Sequence, residues 1–307
     1  MKTDLLVLAD LSPQALRDLL ALARRLKAEW AAGGNEPILG GRTLAMIFQK
    51  PSLRTRVSFE MGMRHLGGHA IYLGPDEISL GKRESVADVA RVLSRYVDGI
   101  MARVHAHDHV VQLARWASIP VINGLSDYNH PCQGLTDLLT IQEKLGRLAG
   151  VRLAYVGDGN NVLTSLLFGG ALTGMEVVAA TPAGCAPSKT VLAKALNIAT
   201  QTGATLRVTA DPTEAVAGAD VVYTDTWTSM GQEAEAEARR QAFAGFQVNV
   251  ALLAGATPDV GVMHCLPAHR GVEITDEVAD GPHSWLFDQA ENRLHAQKAV
   301  LVELLAR

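Results

Sequence analysis

Six polar clusters in this 307-residue sequence carry side chains able to do chemistry. The first, Ser52-Leu53-Arg54-Thr55-Arg56, follows the apolar run Leu44 to Phe48 and precedes an amphipathic run from Val57 to Leu66. A strand, a polar turn and a helix would gather backbone N–H groups, two hydroxyls and two guanidiniums at a helix N-terminus. Such a point favours an anion, and the arginine fork matches phosphate oxygens. A capped helix with two surface arginines fits the same residues. Arg103, ending Ile100-Met101-Ala102, suits either an anion site or a surface ion pair. His130-Pro131-Cys132-Gln133 offers an imidazole and an amide one turn apart, or a plain turn. Gly157-Asp158-Gly159-Asn160-Asn161 and Asp225 are ligands or helix caps. His264-Cys265-Leu266-Pro267 brings a thiol that is either reactive or a small buried side chain.

Two other patterns lead nowhere. His105-Ala106-His107-Asp108-His109 nearly matches the HxHxDH pattern of metallo-hydrolases but lacks the residue between His107 and Asp108. That changes which side chains share a face, so no metal is expected. Gly157-Asp158-Gly159-Asn160-Asn161-Val162 imitates a dinucleotide fingerprint. Its third glycine is Val162, and the acidic residue needed about 20 positions on is replaced by Ala180-Thr181-Pro182. No cofactor is expected.

The elements that must position these clusters alternate. Ser12-Pro13 starts a helix that reaches Trp30. Strands are expected at 43–48, 69–73, 99–104 and 121–123, with helices at 84–96, 108–118 and 134–145. Gly146 to Gly150 connects two halves. Strands then follow at 151–156, 176–180, 205–209, 221–224 and 261–265, with helices at 162–173, 188–202, 233–244, 248–254 and 290–305. Apolar strands alternating with amphipathic helices indicate an α/β fold of two doubly wound domains with parallel sheets. All six clusters follow strands, at the carboxyl ends where open α/β sheets bind ligands. A site in a cleft between the two domains is the expectation.

Composition narrows the function. The chain is 48% hydrophobic and 20% charged, enough for a sizeable core. A net charge of −4 and 5% aromatic residues disfavour nucleic-acid binding. Cys132, Cys185 and Cys265 form no disulfide framework or zinc pattern. No apolar run reaches the ~20 residues that span a bilayer, and Asp4, Asp10 and Asp18 interrupt any leader-like stretch. A cytoplasmic protein without membrane contact is expected.

Taken together, these clusters, with Thr226-Trp227-Thr228-Ser229-Met230-Gly231 and Glu291-Asn292-Arg293, resemble the aspartate/ornithine transcarbamoylase family over about residues 40 to 300. SxRT and HPxQ are common to its members. DxxxSMG and HCLP point to the ornithine carbamoyltransferase branch, where the aspartate branch would carry HPLP. The resemblance implies transfer of the carbamoyl group of carbamoyl phosphate to the δ-amine of L-ornithine, giving L-citrulline and phosphate, in arginine biosynthesis. It also implies a carbamoyl-phosphate domain over 1–135, an ornithine domain over 136–289, and a C-terminal helix, 290–307, packing back on the first. A homotrimer or a multiple of it is implied too. Alternatives are a transcarbamoylase for putrescine or acetylornithine, and a non-catalytic binding protein of the same fold.

By the same resemblance, carbamoyl phosphate is held by Ser52, Leu53, Arg54, Thr55, Ser79, Arg103, His130, Gln133, Cys265, Leu266 and Arg293. Ornithine is held by Asn161, Asp225, Ser229 and Met230. Arg103, His130 and Cys265 are the catalytic residues, with Cys265 and the Leu266 carbonyl beside the attacking amine. Leu266-Pro267 is suggested to be cis. Charge on the carbonyl oxygen would be met by Arg103, His130 and the Thr55 hydroxyl, with no covalent intermediate; Cys265 as nucleophile is the alternative. Activity should rise with pH as the δ-ammonium loses its proton. Two positions depart from the family. Leu53 replaces the usual Thr, and Ser79 stands where Gln or His reaches a neighbouring subunit, with Lys82 a possible substitute.

Overall fold

A computed structural model describes residues 3–228 and 235–306. The chain forms two compact units, Met1–Leu139 with Glu291–Arg307, and Thr140–Ala290. Both are α/β with wholly parallel sheets.

The first unit runs α1 (Pro13–Ala31), β1 (Thr43–Phe48), α2 (Leu53–His65), β2 (His69–Leu73), α3 (Pro75–Ile78), α4 (Val86–Leu93), β3 (Gly99–Arg103), α5 (His107–Trp116) and β4 (Val121–Leu125). Helix α6 (Pro131–Leu145) then carries the chain on. The second unit has β5 (Arg152–Val156), α7 (Asn161–Thr173), β6 (Glu176–Ala180), α8 (Lys189–Ala199), β7 (Thr205–Thr209), α9 (Pro212–Val216), β8 (Val221–Thr224), α10 (Ala236–Ala242), α11 (Val250–Leu253), β9 (Gly261–His264) and α12 (Asp276–Ala279). Helix α13 (Leu286–Leu305) closes the chain and contributes its later turns to the first unit.

The sheet orders are β2-β1-β3-β4 and β7-β6-β5-β8-β9. In the first, the chain leaves β1 toward one edge and returns to β3 on the other side. In the second, β5 and β8 are related in the same way. These neighbours are the topological switch points, where diverging connections open a crevice beyond the strand ends. Phe48 pairs with Arg103 and Val156 with Thr224, so the strands flanking each crevice end level.

The central strands β1, β3 and β5 are buried on both faces, as parallel sheets covered by helices require. Helix α7 is apolar all round and buried along almost its whole length. It lies so close to β6 that a Cβ on Gly170 would stand 2.4 Å from Val177 Cγ2.

Several helices differ from the sequence expectation. Helix α2 begins at Leu53, not Val57, because the Ser52 hydroxyl accepts the Thr55 N–H and caps it there. Arg54 and Thr55 are therefore first-turn residues. Helix α6 starts at Pro131, three residues early, since proline suits the first helical position. Helix α13 starts at Leu286 rather than 290. Helix α4 is shorter than 84–96, and α3, α9 and α12 were too short for periodicity to reveal. Among the described residues, no helix is long and apolar enough to cross a membrane.

Candidate active site

Most of the expected site residues that are described fall in two clusters, one in each unit. In the first unit, Ser52 caps α2 at the end of the loop after β1, and the loop is tied to β3 by Gln49 N–H donating to the Arg103 carbonyl at 2.8 Å. Arg103, Thr55, His130, Gln133 and Arg293 are all buried. Arg293 joins them. Its Nη2 donates to Thr55 Oγ1 at 3.2 Å, and its Nη1 to Gln133 Oε1 at 2.9 Å. The Gln133 amide in turn donates to Asp137 Oδ1 at 2.8 Å.

His130 lies among these cations. Burial holds its imidazole well below the usual range, and Arg293, Arg103 and Arg54 push it further down. It is a neutral hydrogen-bonding group at physiological pH. Cys132, next to it, is inert: burial pushes its thiol up to about 12. The cluster thus combines three guanidiniums, a helix N-terminus and an uncharged imidazole, which suits an anion attached to a polarisable carbonyl.

Leu53 leaves this cluster, the residue being 73% exposed. Arg56 stacks on the Tyr72 ring at 4.0 Å and pairs with Glu60, which makes it a support of the helix. Ser79 has a left-handed backbone at φ 46° after α3, and its hydroxyl donates to the Pro75 carbonyl.

In the second unit, register sets the geometry. Thr224 pairs with Val156 on one side and His264 on the other, so Asp225 stands beside Cys265 and near the loop after β5. Cys265 Sγ donates to Asp225 Oδ1 at 3.1 Å, and Asn160 Nδ2 to Asp225 Oδ2 at 2.8 Å. The Asn160 carbonyl oxygen of the same side chain accepts from Val162 and Leu163, capping α7. Asn160 thus locks the carboxylate to a helix N-terminus. The sequence pointed to Asn161, which is the first residue of α7 beside it. The double role of Asn160 was signalled only by its position before an apolar helix. Ser229 and Met230 lie outside the described residues.

Around this carboxylate stand two groups the sequence did not mark, Arg239 and Glu273. Arg239 of α10 pairs with Asp158 at 2.6 Å and donates to the Trp227 carbonyl. His264 has both ring nitrogens engaged: Nδ1 accepts the Leu266 N–H at 2.8 Å, and Nε2 lies 3.3 Å from the buried Glu273 carboxylate. Neither acts as a base on Cys265. Leu266 adopts φ 58°, and the Leu266–Pro267 bond is cis.

Asp225, His264 and Cys265 bring three ligand-type atoms within 4.8 Å of one another. Both His264 nitrogens are already committed and the thiol is hydrogen-bonded to the carboxylate, so the set is satisfied internally. The histidines at 105–109 are used otherwise: His107 Nδ1 meets Ser126 Oγ at 2.8 Å and His109 Nδ1 meets Gln49 at 3.2 Å. The glycine-rich loop is explained by packing, since a Cβ on Gly159 would stand 2.4 Å from the Cys185 carbonyl.

Comparison with known proteins gives a consistent picture. Residues 3–143 match the profile of the aspartate/ornithine carbamoyltransferase carbamoyl-P binding domain, and residues 149–304 that of the Asp/Orn binding domain. The chain is 56% identical over 302 residues to an ornithine carbamoyltransferase of Pyrococcus abyssi, covering 98% of this chain and 95% of that one. It is 55% identical to an anabolic ornithine carbamoyltransferase of Pyrococcus furiosus, covering 97% and 95%. The solved structure of ornithine carbamoyltransferase from Pyrococcus furiosus superposes with a TM-score of 0.96 at 55% identity, covering 98% of this chain and 96% of that one.

Proposed function

The chain belongs to the aspartate/ornithine carbamoyltransferase family, and we propose from that premise that its reaction joins carbamoyl phosphate and L-ornithine to give L-citrulline and phosphate. The observation that carries this is the buried cationic cluster of the first unit, where Arg293 donates to Thr55 at the start of α2 and to Gln133, and where Arg293, Arg103 and Arg54 all act on the buried His130. It complements a phosphate and a carbonyl in one ligand.

Ser52, Arg54 and Thr55 hold the phosphate at the start of α2, where Leu53 contributes backbone. Arg103 bridges the phosphate and the carbonyl oxygen, and Gln133 and Arg293 hold the carbamoyl end. The neutral δ-amine attacks the carbonyl carbon, the C–N bond forms, and negative charge moves to the carbonyl oxygen. Arg103, His130 and the Thr55 hydroxyl meet that charge. Collapse breaks the bond to the phosphate, which leaves with its electron pair, while the nitrogen releases a proton. One donor aimed at such an oxygen is worth about 10²–10³ in rate.

Asp225 takes the α-ammonium of ornithine, and Asn161 at the N-terminus of α7 takes the carboxylate, a placement favoured by the helix dipole. Ser229 and Met230 complete that end. Cys265 and the Leu266 carbonyl attend the δ-amine. The hydrogen bond from the Cys265 thiol to Asp225 favours a positioning role over a nucleophilic one.

Arginine synthesis is the direction supported by the likeness to the anabolic enzyme of Pyrococcus furiosus. Cys132, Cys185 and Cys265, each a thiol and not half of a disulfide, suit the reducing cytoplasm. The assembly is a homotrimer or a multiple of it, with Ser79 or Lys82 reaching a neighbour. A citrulline assay with a panel of amines tests the reading. Ornithine should be preferred strongly over putrescine and N-acetylornithine; a clear preference for putrescine would overturn it.

A further inference from the structure

Arg293 is held by more than the site itself. Its Nε donates to Gln297 Oε1 at 2.9 Å, one helical turn further along α13. Gln297 Nε2 donates to Ser58 Oγ at 2.7 Å, and Ser58 Oγ donates to the Arg54 carbonyl. Gln297 is fully buried, and Ser58 and Arg293 are nearly so.

The direction of this chain of bonds is fixed by chemistry. A guanidinium has donors only, so the Gln297 carbonyl must face Arg293 and its NH₂ must face Ser58. The Ser58 hydroxyl, accepting from Gln297, then has its proton for the Arg54 carbonyl. Arg293 receives its orientation along one edge from Gln297, leaving Nη1 and Nη2 directed at Gln133 and Thr55. The same amide ties α13 to the first turn of α2, where Arg54 and Thr55 reside.

We propose that Gln297, working with Ser58, is a positioning residue for carbamoyl phosphate: it fixes the Arg293 guanidinium and registers it against the anion-binding turn of α2. It touches no ligand. The proposal rests on the assignment of this cluster to carbamoyl phosphate. Without Gln297, the buried Nε–H loses its acceptor. The guanidinium must then turn to find another, which draws Nη1 and Nη2 away from Gln133 and Thr55.

Gln297→Met keeps the volume of the side chain and removes both bonds. Carbamoyl phosphate binding, measured by calorimetry without ornithine, should weaken about tenfold. Its KM in citrulline formation should rise by the same factor, with the KM for ornithine unchanged within about twofold. Ser58→Ala should give a smaller rise, because Gln297 keeps its bond to Arg293. The double variant should be no worse than Gln297→Met alone, since residues in one hydrogen-bonded chain are non-additive. Unchanged carbamoyl phosphate affinity in Gln297→Met overturns the proposal. So does a parallel rise in both KM values, or strict additivity in the double variant; each marks a purely structural role. If the unsubstituted protein neither binds carbamoyl phosphate nor forms citrulline, the functional assignment itself falls.

Discussion

Arg54 after β1 and Arg103 at the end of β3 act with Arg293 on the buried His130 in the first unit, whereas at the β5/β8 switch point the central charge is a carboxylate, Asp225. The two crevices have the same topology. Their chemistry differs through what the strand ends carry. The first is wired by a buried chain from Asp137 through Gln133, Arg293 and Gln297 to Ser58. The second converges on a single group, with Asn160 and Cys265 each donating to one oxygen of Asp225. A parallel α/β unit supplies a ligand crevice generically; its polarity is set by a handful of side chains beyond the strands.

The largest expected effect breaks the cationic side. Arg103→Ala should lower kcat by about 10²–10³, the worth of one preorganised donor to a developing oxyanion. Circular dichroism should show the fold retained, and unchanged turnover would refute the role. The carboxylate side is tested by Asp225→Asn, which keeps shape and removes charge. The KM for ornithine should rise about 10–100-fold, the cost of a lost charge-assisted bond, with the KM for carbamoyl phosphate nearly constant. An equal rise in both would erase the division of labour between the two crevices.

The residues also show where sequence reading succeeds. Strands such as Thr43–Phe48 and Glu176–Ala180 are legible, because after the half-buried Thr43 and Glu176 each run is buried and must be apolar. A helix after residues 52–56 was legible, although not that Ser52 caps it and that it takes in Arg54 at once. Gln297 and Asn160 were not legible as partners. Their bonds to Arg293 and Asp225 depend on side-chain direction and, for Asn160, on a separation of 65 residues in the chain. Glu273 carried no signal in the sequence, and its burial against His264 follows only from the path of the chain after Pro267.

The two units should also differ in acid. His130 and His295 in the first unit are held below their ordinary range, His295 to about 3, by burial and then by Lys298, Lys27 and His65. Their unfolded pKa is about 6.5. The unfolded chain therefore takes up these protons first, and stability present above pH ~6.5 is lost as pH falls toward the folded values. In the second unit, burial raises Asp158, a shift of opposite sign that favours the folded state as acid is added. His295→Gln should flatten the decline in urea-melt stability between pH 6.5 and 4 without changing either KM. An unaltered slope would remove His295 from the account. A milder change is expected for Cys265→Ser. A hydroxyl can still donate to Asp225, so kcat should fall by less than about tenfold if the thiol only positions; a loss beyond about 10³, on the scale of a missing nucleophile, would favour covalent chemistry.

The smallest effect belongs to Leu53, and it separates the two ways in which the first crevice attracts an anion. Leu53 lies between Ser52 and Arg54 at the helix start, yet the residue is 73% exposed. If the cradle uses its backbone alone, Leu53→Ala should leave the KM for carbamoyl phosphate within about twofold, since alanine preserves the first-turn N–H groups and favours the helix. Leu53→Pro is the sharper counterpart. Proline is tolerated at the first helical position, so α2 should persist, but its N–H is gone. A rise in the carbamoyl phosphate KM for Leu53→Pro, with none for Leu53→Ala, would locate the contribution in that single N–H. Equal effects of the two would locate it in the side chain and place the anion differently from the helix axis.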